Sequence, residues 1–170
     1  MKNYLFIIFV ISTTLSWGQK VTENSLRILF HKIETEEDLE TILSHQENLN
    51  TNISKAYSGS VTVMKAQYAF SPIKKYSYFK EGTKLIEASI SHSKKVENIY
   101  LRLLIQLNTP HFLGYYENID QDISFIASNI DICSLTKHWK LKLLEGIIQF
   151  ESDKYDFSRI EKKISLYKKV

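Results

Sequence analysis

Five histidines, His31, His45, His92, His111 and His138, are the side chains in this chain best suited to hold zinc or move protons at neutral pH. None stands in H-x-x-x-H, H-x-H or H-E-x-x-H spacing, so no helix presents two imidazoles one turn apart and no metal site is expected. A serine nucleophile would need a sharp turn such as G-x-S-x-G, and a phosphate cradle would need G-x-x-x-x-G-K-[ST] or G-x-G-x-x-G. Neither kind of motif occurs, and the five glycines are too scattered to build one. Carboxylates cluster at Glu36, Glu37 and Asp38 and again at Asp120 and Asp122. The first group reads as negative charge on a helix N-terminus. The second reads as a solvated helix face, because positions i and i+2 diverge around a helix. A carboxylate pair for glycoside chemistry would have to come from separate helices. With no local constellation, the chain reads as a binding protein and not as an enzyme, with no cofactor.

One segment has the composition of a recognition loop. Asn108 to Asn118, NTPHFLGYYEN, places one of the two prolines, one of the five glycines and three aromatics between two apolar-periodic stretches. Pro110 disfavours helical geometry at Thr109, so the preceding helix should stop by about Asn108. Gly114 permits a positive φ, and Glu117 with the acids after it should open the next helix. Phe112 and Leu113 are apolar enough that at least one is expected to plug the end of the core. Tyr115 and Tyr116 are adjacent and should face different environments. His111, Phe112, Tyr115 and Tyr116 are therefore the candidate binding residues, a polar-aromatic lip held by two helices.

The elements that must position this loop follow from periodicity. Ile53, Tyr57, Val61, Met64 and Tyr68 step by three and four, as one stripe of a helix. So do Phe79, Gly82, Ile86 and Ile90, and then Val96, Ile99, Tyr100, Leu103, Leu104 and Leu107. Ile119, Ile123, Ile126 and Ile130 form a stripe opposite the acids Glu117, Asp120 and Asp122. Leu135, Trp139, Leu143, Ile147 and Phe150 make the next, and Phe157, Ile160, Ile164 and Tyr167 the last. Near the front, Thr35 reads as an N-cap followed by acid in the first turn, with Leu39, Ile42 and Leu43 as the apolar side. A weaker segment spans Leu26 to Ile33. Only SGSVTV, residues 58–63, tempts toward a strand, and it sits inside a longer helical stripe. The expected fold is all-α, with seven or eight helices and short connectors.

Charge and cysteine content narrow the classes further. The chain holds 22 basic and 19 acidic residues, a balance that does not suit a nucleic-acid binder. Its single cysteine, Cys133 within IDICSL, excludes an intramolecular disulfide and reads as a small buried hydrophobe. The lysine-rich end, with Lys154, Arg159, Lys162, Lys163, Lys168 and Lys169, reads as the solvated face of a terminal helix. The start, MKNYLFIIFVISTTLSWGQ, has a positive residue, a short apolar run and small residues at Ser16 and Gly18. That is the pattern of a signal peptide over 1–18 cleaved before Gln19, too short to span a bilayer. Residues 19–170 then form a single helical domain of an exported protein, periplasmic or secreted, with no stable membrane anchor after cleavage.

The order Phe79, Gly82, Ile86, Ser89, Ile90, followed by Tyr100, Leu103, Leu104 and Leu107, resembles the junction between successive tetratricopeptide repeats. Small residues at such a junction let helices approach closely, which gives Gly82 a reason, and Gly59 and Gly146 invite the same one. Corresponding helices recur at roughly 40 residues in place of that family's 34, and a lysine pair stands where its proline would be. The stretches YFKEGTKLIEASI and YLRLLIQLNTPHFLGYYENID also look like a group of uncharacterised exported bacterial proteins, and the SWGQ ending resembles signal peptides of the Bacteroidota. The resemblance implies stacked antiparallel helical hairpins, either a tetratricopeptide-like α-solenoid or an irregular helical bundle. Such stacks offer grooves, so the expected function is a protein- or peptide-binding adaptor. The alternative is a carrier or inhibitor that takes a small apolar ligand, with an enzyme of unknown class third; a nucleic-acid partner is not expected.

Overall fold

The computed structural model describes residues 21–150 and 153–169. The signal-peptide reading of residues 1–18 lies outside the described residues. Within them the chain is all helical and no strand occurs. The eight α-helices are α1 (Glu23–Phe30), α2 (Glu36–Leu49), α3 (Asn52–Met64), α4 (Pro72–His92), α5 (Val96–Asn108), α6 (Ile119–Asn129), α7 (Lys137–Ile148) and α8 (Ser158–Lys169). Short 3-10 turns cover Lys65–Gln67 and His111–Leu113.

Local chemistry starts the first three helices in the same way. Thr22, Thr35 and Thr51 each accept from the backbone N–H three residues on, while the side chains of Ser25, Asp38 and Ser54 reach back to the cap N–H. These capping boxes satisfy donors that helix geometry leaves orphaned. At Thr35 the three acids of the first turn add their charge to the helix dipole. Asn50 ends α2 in the left-handed region at φ 32°. Pro72 starts α4 at a position where its missing N–H costs nothing.

The helices pack as consecutive antiparallel pairs. Asn52 at the start of α3 donates from Nδ2 to the Ser89 carbonyl near the end of α4, 2.8 Å away. α5 meets α6 through Arg102 and Asp122, and α7 meets α8 through Glu145 and Lys168, 2.9 Å apart. Helices α1, α3, α5 and α7 lie side by side, α2 flanks α3, and α6 lies against α8. At one end the row turns back on itself, since the Trp139 indole of α7 donates to the Asn24 side chain of α1 at 2.8 Å.

Helix α3 sits at the centre and is buried on every side from Ile53 to Thr62 apart from Lys55. Its small residues, the SGSVTV that resembles a strand, let neighbours close in around it. The tightest approach is to α4. A Cβ placed on Gly59 would lie 2.7 Å from the Gly82 carbonyl oxygen, and one on Gly82 would lie 2.6 Å from Cγ2 of Val63. The crossing therefore needs glycine on both helices, as the reading of Gly82 anticipated. Gly146 makes room in another way, for the Tyr100 hydroxyl, which a Cβ there would meet at 2.6 Å.

The core is one cluster drawn from α1–α3 and α5–α8, including Leu26, Leu39, Ile42, Tyr57, Ile99, Leu103, Ile126, Leu143 and Ile160, with Ile90 of α4 packed against its edge. Cys133 packs against its edge, half-buried, with Sγ 3.2 Å from the Ile130 carbonyl. The basic terminal helix is tied down by several contacts: Lys163 pairs with Asp131, the Tyr167 hydroxyl donates to Asp131 at 2.9 Å, and Lys168 pairs with Glu145.

Candidate functional site

The loop between α5 and α6 follows the expected course. Helix α5 ends at Asn108, Thr109 is extended ahead of Pro110, and Gly114 takes φ 69°. The four candidate residues take different positions. The His111 and Tyr116 rings lie together, with centroids 4.5 Å apart, and both are exposed. Phe112 is 86% exposed, while Leu113 is half-buried. Tyr115 turns inward: its hydroxyl donates to Glu87 at 2.6 Å and its ring meets Phe79 edge-on at 5.8 Å. The loop thus presents His111, Phe112 and Tyr116 to solvent and uses Tyr115 as its anchor.

Beneath the exposed Phe112 lies an apolar slot of about 500 Å³, walled by Pro72, Tyr76 and Phe79 of α4 on one side and by Pro110, Phe112 and Leu113 on the other. Close by in sequence, Ile73 on α4 is 83% exposed and Phe70, just before the helix, is fully exposed. Isolated exposed apolar residues are ordinary, whereas Tyr76 and Phe112, both exposed, edge one slot from two elements. Val63, Gln67, Asn108 and Thr109 line this slot and also a second, larger cleft, so the two depressions share a ridge.

A polar network holds the loop on its frame. Arg102 donates from Nε and Nη2 to the two carboxylate oxygens of Asp122, at 2.8 and 2.6 Å, and from Nη1 to Glu87 at 3.0 Å. Gln106 donates to Asp122 at 2.8 Å and accepts the backbone N–H of Asn118 at 3.2 Å. Asp122 is 1% exposed, which corrects the reading of Asp120 and Asp122 as one solvated face; Asp120 alone is exposed. Burial pushes the Asp122 carboxyl up against the pull of Arg102. Burial also opposes the charge on Arg102, but Asp122 and Glu87 outweigh it and hold the guanidinium protonated. A second buried group ties α1, α3 and α5 together: Arg27 donates to Glu97 at 2.5 and 2.9 Å, and the Tyr57 hydroxyl donates to the same carboxylate at 2.7 Å. Both networks satisfy their charges internally and act as fasteners.

The larger cleft, about 740 Å³, lies among α1, α3, α5 and α7. Phe30, Ile33, Met64, Leu104 and Ile105 give it apolar walls, and His31, Tyr100, Lys142 and Glu145 give it polar ones. His31 sits at the end of α1 with its ring 5.6 Å from Trp139 and 6.1 Å from Tyr100. Its Nε2 is buried and has no hydrogen-bond partner among the described residues. Sequence reading missed this site because its polar residues come from three helices and share no spacing.

Burial, with the nearby charge of Lys142, lowers the His31 pKa from 6.5 to about 4. Between those values the unfolded chain binds a proton that the folded chain refuses, so stability rises with pH. The full contribution is present above pH 6.5 and is lost as pH falls toward 4. The exposed carboxyls of Asp38, Asp131 and Asp156 are shifted downward and titrate below that window, while the raised carboxyl of Asp122 opposes the trend and is common to parent and variant. The melting temperature is therefore expected to fall from pH 7.5 to pH 5, and His31→Gln is expected to flatten that fall. A profile of equal slope in both proteins would contradict the assignment.

Among the described residues no group of three or more His, Cys, Asp or Glu side chains is placed to hold a metal ion, and no helix is long and apolar enough to cross a membrane. No protein-family model, curated protein or solved structure matches the chain.

Proposed function

We propose that the chain is an exported adaptor that binds a protein or peptide partner in the slot between the start of α4 and the α5–α6 loop. The observation that carries this reading is Phe112, exposed on a loop that Tyr115, Glu87 and Arg102 hold in place, above an apolar slot. A loop anchored from below loses little conformational freedom on binding, which favours recognition by its exposed side chains. Tyr76, His111 and Tyr116 add aromatic surface with polar edges, the composition of many contact surfaces.

The test is capture from the cell envelope by the purified chain and by Phe112→Ala, followed by a repeat with the captured partner purified. Phe112→Ala is expected to weaken binding about tenfold or more, the scale of an interface hot spot, with an unchanged melting temperature. Tyr115→Ala should instead lower the melting temperature, because it removes the hydroxyl that donates to Glu87 and the ring that packs on Phe79. Undiminished capture by Phe112→Ala would remove the slot from consideration.

A further inference from the structure

The cleft among α1, α3, α5 and α7 contains polar groups that the fold itself does not use. Tyr100 is 1% exposed, lines the cleft, and its hydroxyl makes no hydrogen bond among the described residues. The His31 Nε2 in the same cleft is fully buried without a partner, a costly condition that native proteins seldom leave in place. Lys142 stands on the cleft wall with its ammonium 5.9 Å from the Trp139 ring centroid and no carboxylate paired to it among the described residues. The nearest acid on that helix, Glu145, is already paired with Lys168 at 2.9 Å.

We propose that this cleft binds a small organic carboxylate with an apolar body. Tyr100 and Lys142 receive the carboxylate, and Phe30, Leu104 and Ile105 receive the apolar body. Three arguments select this class. Of the groups left over, the phenol and the ammonium are hydrogen-bond donors and His31 Nε2 is one in its Nε2–H tautomer, and together they suit an acceptor of negative charge. One cation without a bidentate arginine suits a monoanion better than a phosphate dianion. The remaining walls are apolar, so the ligand must bury hydrocarbon as well as charge. The site is separate from the slot beneath Phe112, with which it shares only the ridge of Val63, Gln67, Asn108 and Thr109.

Titration calorimetry of the purified chain with octanoate and 3-phenylpropanoate, each beside its primary amide, tests the proposal. At least one acid is expected to bind about tenfold tighter than its amide, the scale of a charge-assisted hydrogen bond. Tyr100→Phe and Lys142→Gln are each expected to erase most of that difference. Tyr100→Phe should leave the unliganded melting temperature unchanged or raise it, since the hydroxyl has no partner to lose. Phe112→Ala should bind the acid as the parent chain does, which keeps this result apart from the fate of the slot. Equal binding of acid and amide, retention of the preference in both cleft variants, or no binding of either acid at millimolar concentration would each overturn the assignment.

Discussion

Gly82→Ala is expected to destabilise the protein by about 3 kcal/mol, although alanine is the better helix former by about 1 kcal/mol. The new methyl carbon would stand 2.6 Å from Cγ2 of Val63 and 2.8 Å from its backbone nitrogen, and would also press on the Gly59 carbonyl. Side chains can rotate away from such a clash, but two helix backbones can only separate. Separation would loosen α3, whose burial on every side depends on close neighbours. Gly59→Ala should behave alike, because a Cβ there would meet the Gly82 carbonyl and the Ile86 backbone. Chemical denaturation of the two variants checks this. A loss below about 1 kcal/mol in both would mean that the helices can part without consequence, and the close crossing would not be a determinant of the fold.

The second large effect is expected at Arg102. Arg102→Ala leaves Asp122 buried with no counter-charge and should cost about 3–5 kcal/mol. Arg102→Lys should recover only part of the loss, since one ammonium cannot reproduce two parallel bonds to Asp122 together with a third to Glu87. Replacing both partners, Arg102→Met with Asp122→Leu, should restore most of the stability, because no charge is then stranded. Urea midpoints for the three variants decide the matter. If the double variant were no more stable than Arg102→Ala, the pair would contribute more than mutual neutralisation.

The same pair shows where sequence reading succeeds and where it stops. Each apolar stripe that steps by three and four became a helix, because burial on one side of a helix leaves that period in its own residues. The turn at Pro110 and Gly114 was readable for the same reason, since its constraints are local. Asp122 was misread because its fate depends on Arg102, twenty positions earlier on another helix. A signal was present: Glu97 and Arg102 stand in one of the most apolar helices of the chain, VENIYLRLLIQLN, where a charge must find a partner. The cleft left no such trace. His31, Tyr100 and Lys142 come together only through the side-by-side placement of α1, α5 and α7, which no short window of sequence contains.

The hydrogen bond from Trp139 to Asn24 joins positions 115 residues apart. An open stack grows hairpin by hairpin, each addition supported by the one before, and tolerates insertion of a further repeat. Here the first helix cannot reach its final neighbour until the seventh has been made and placed. Closure over so long a loop is slow relative to local helix pairing, so α1 should dock late in folding. The same link limits how many helices can lie between α1 and α7. A hairpin inserted between α2 and α7 would carry the indole away from its acceptor and reopen the cleft on the side where α1 meets α7.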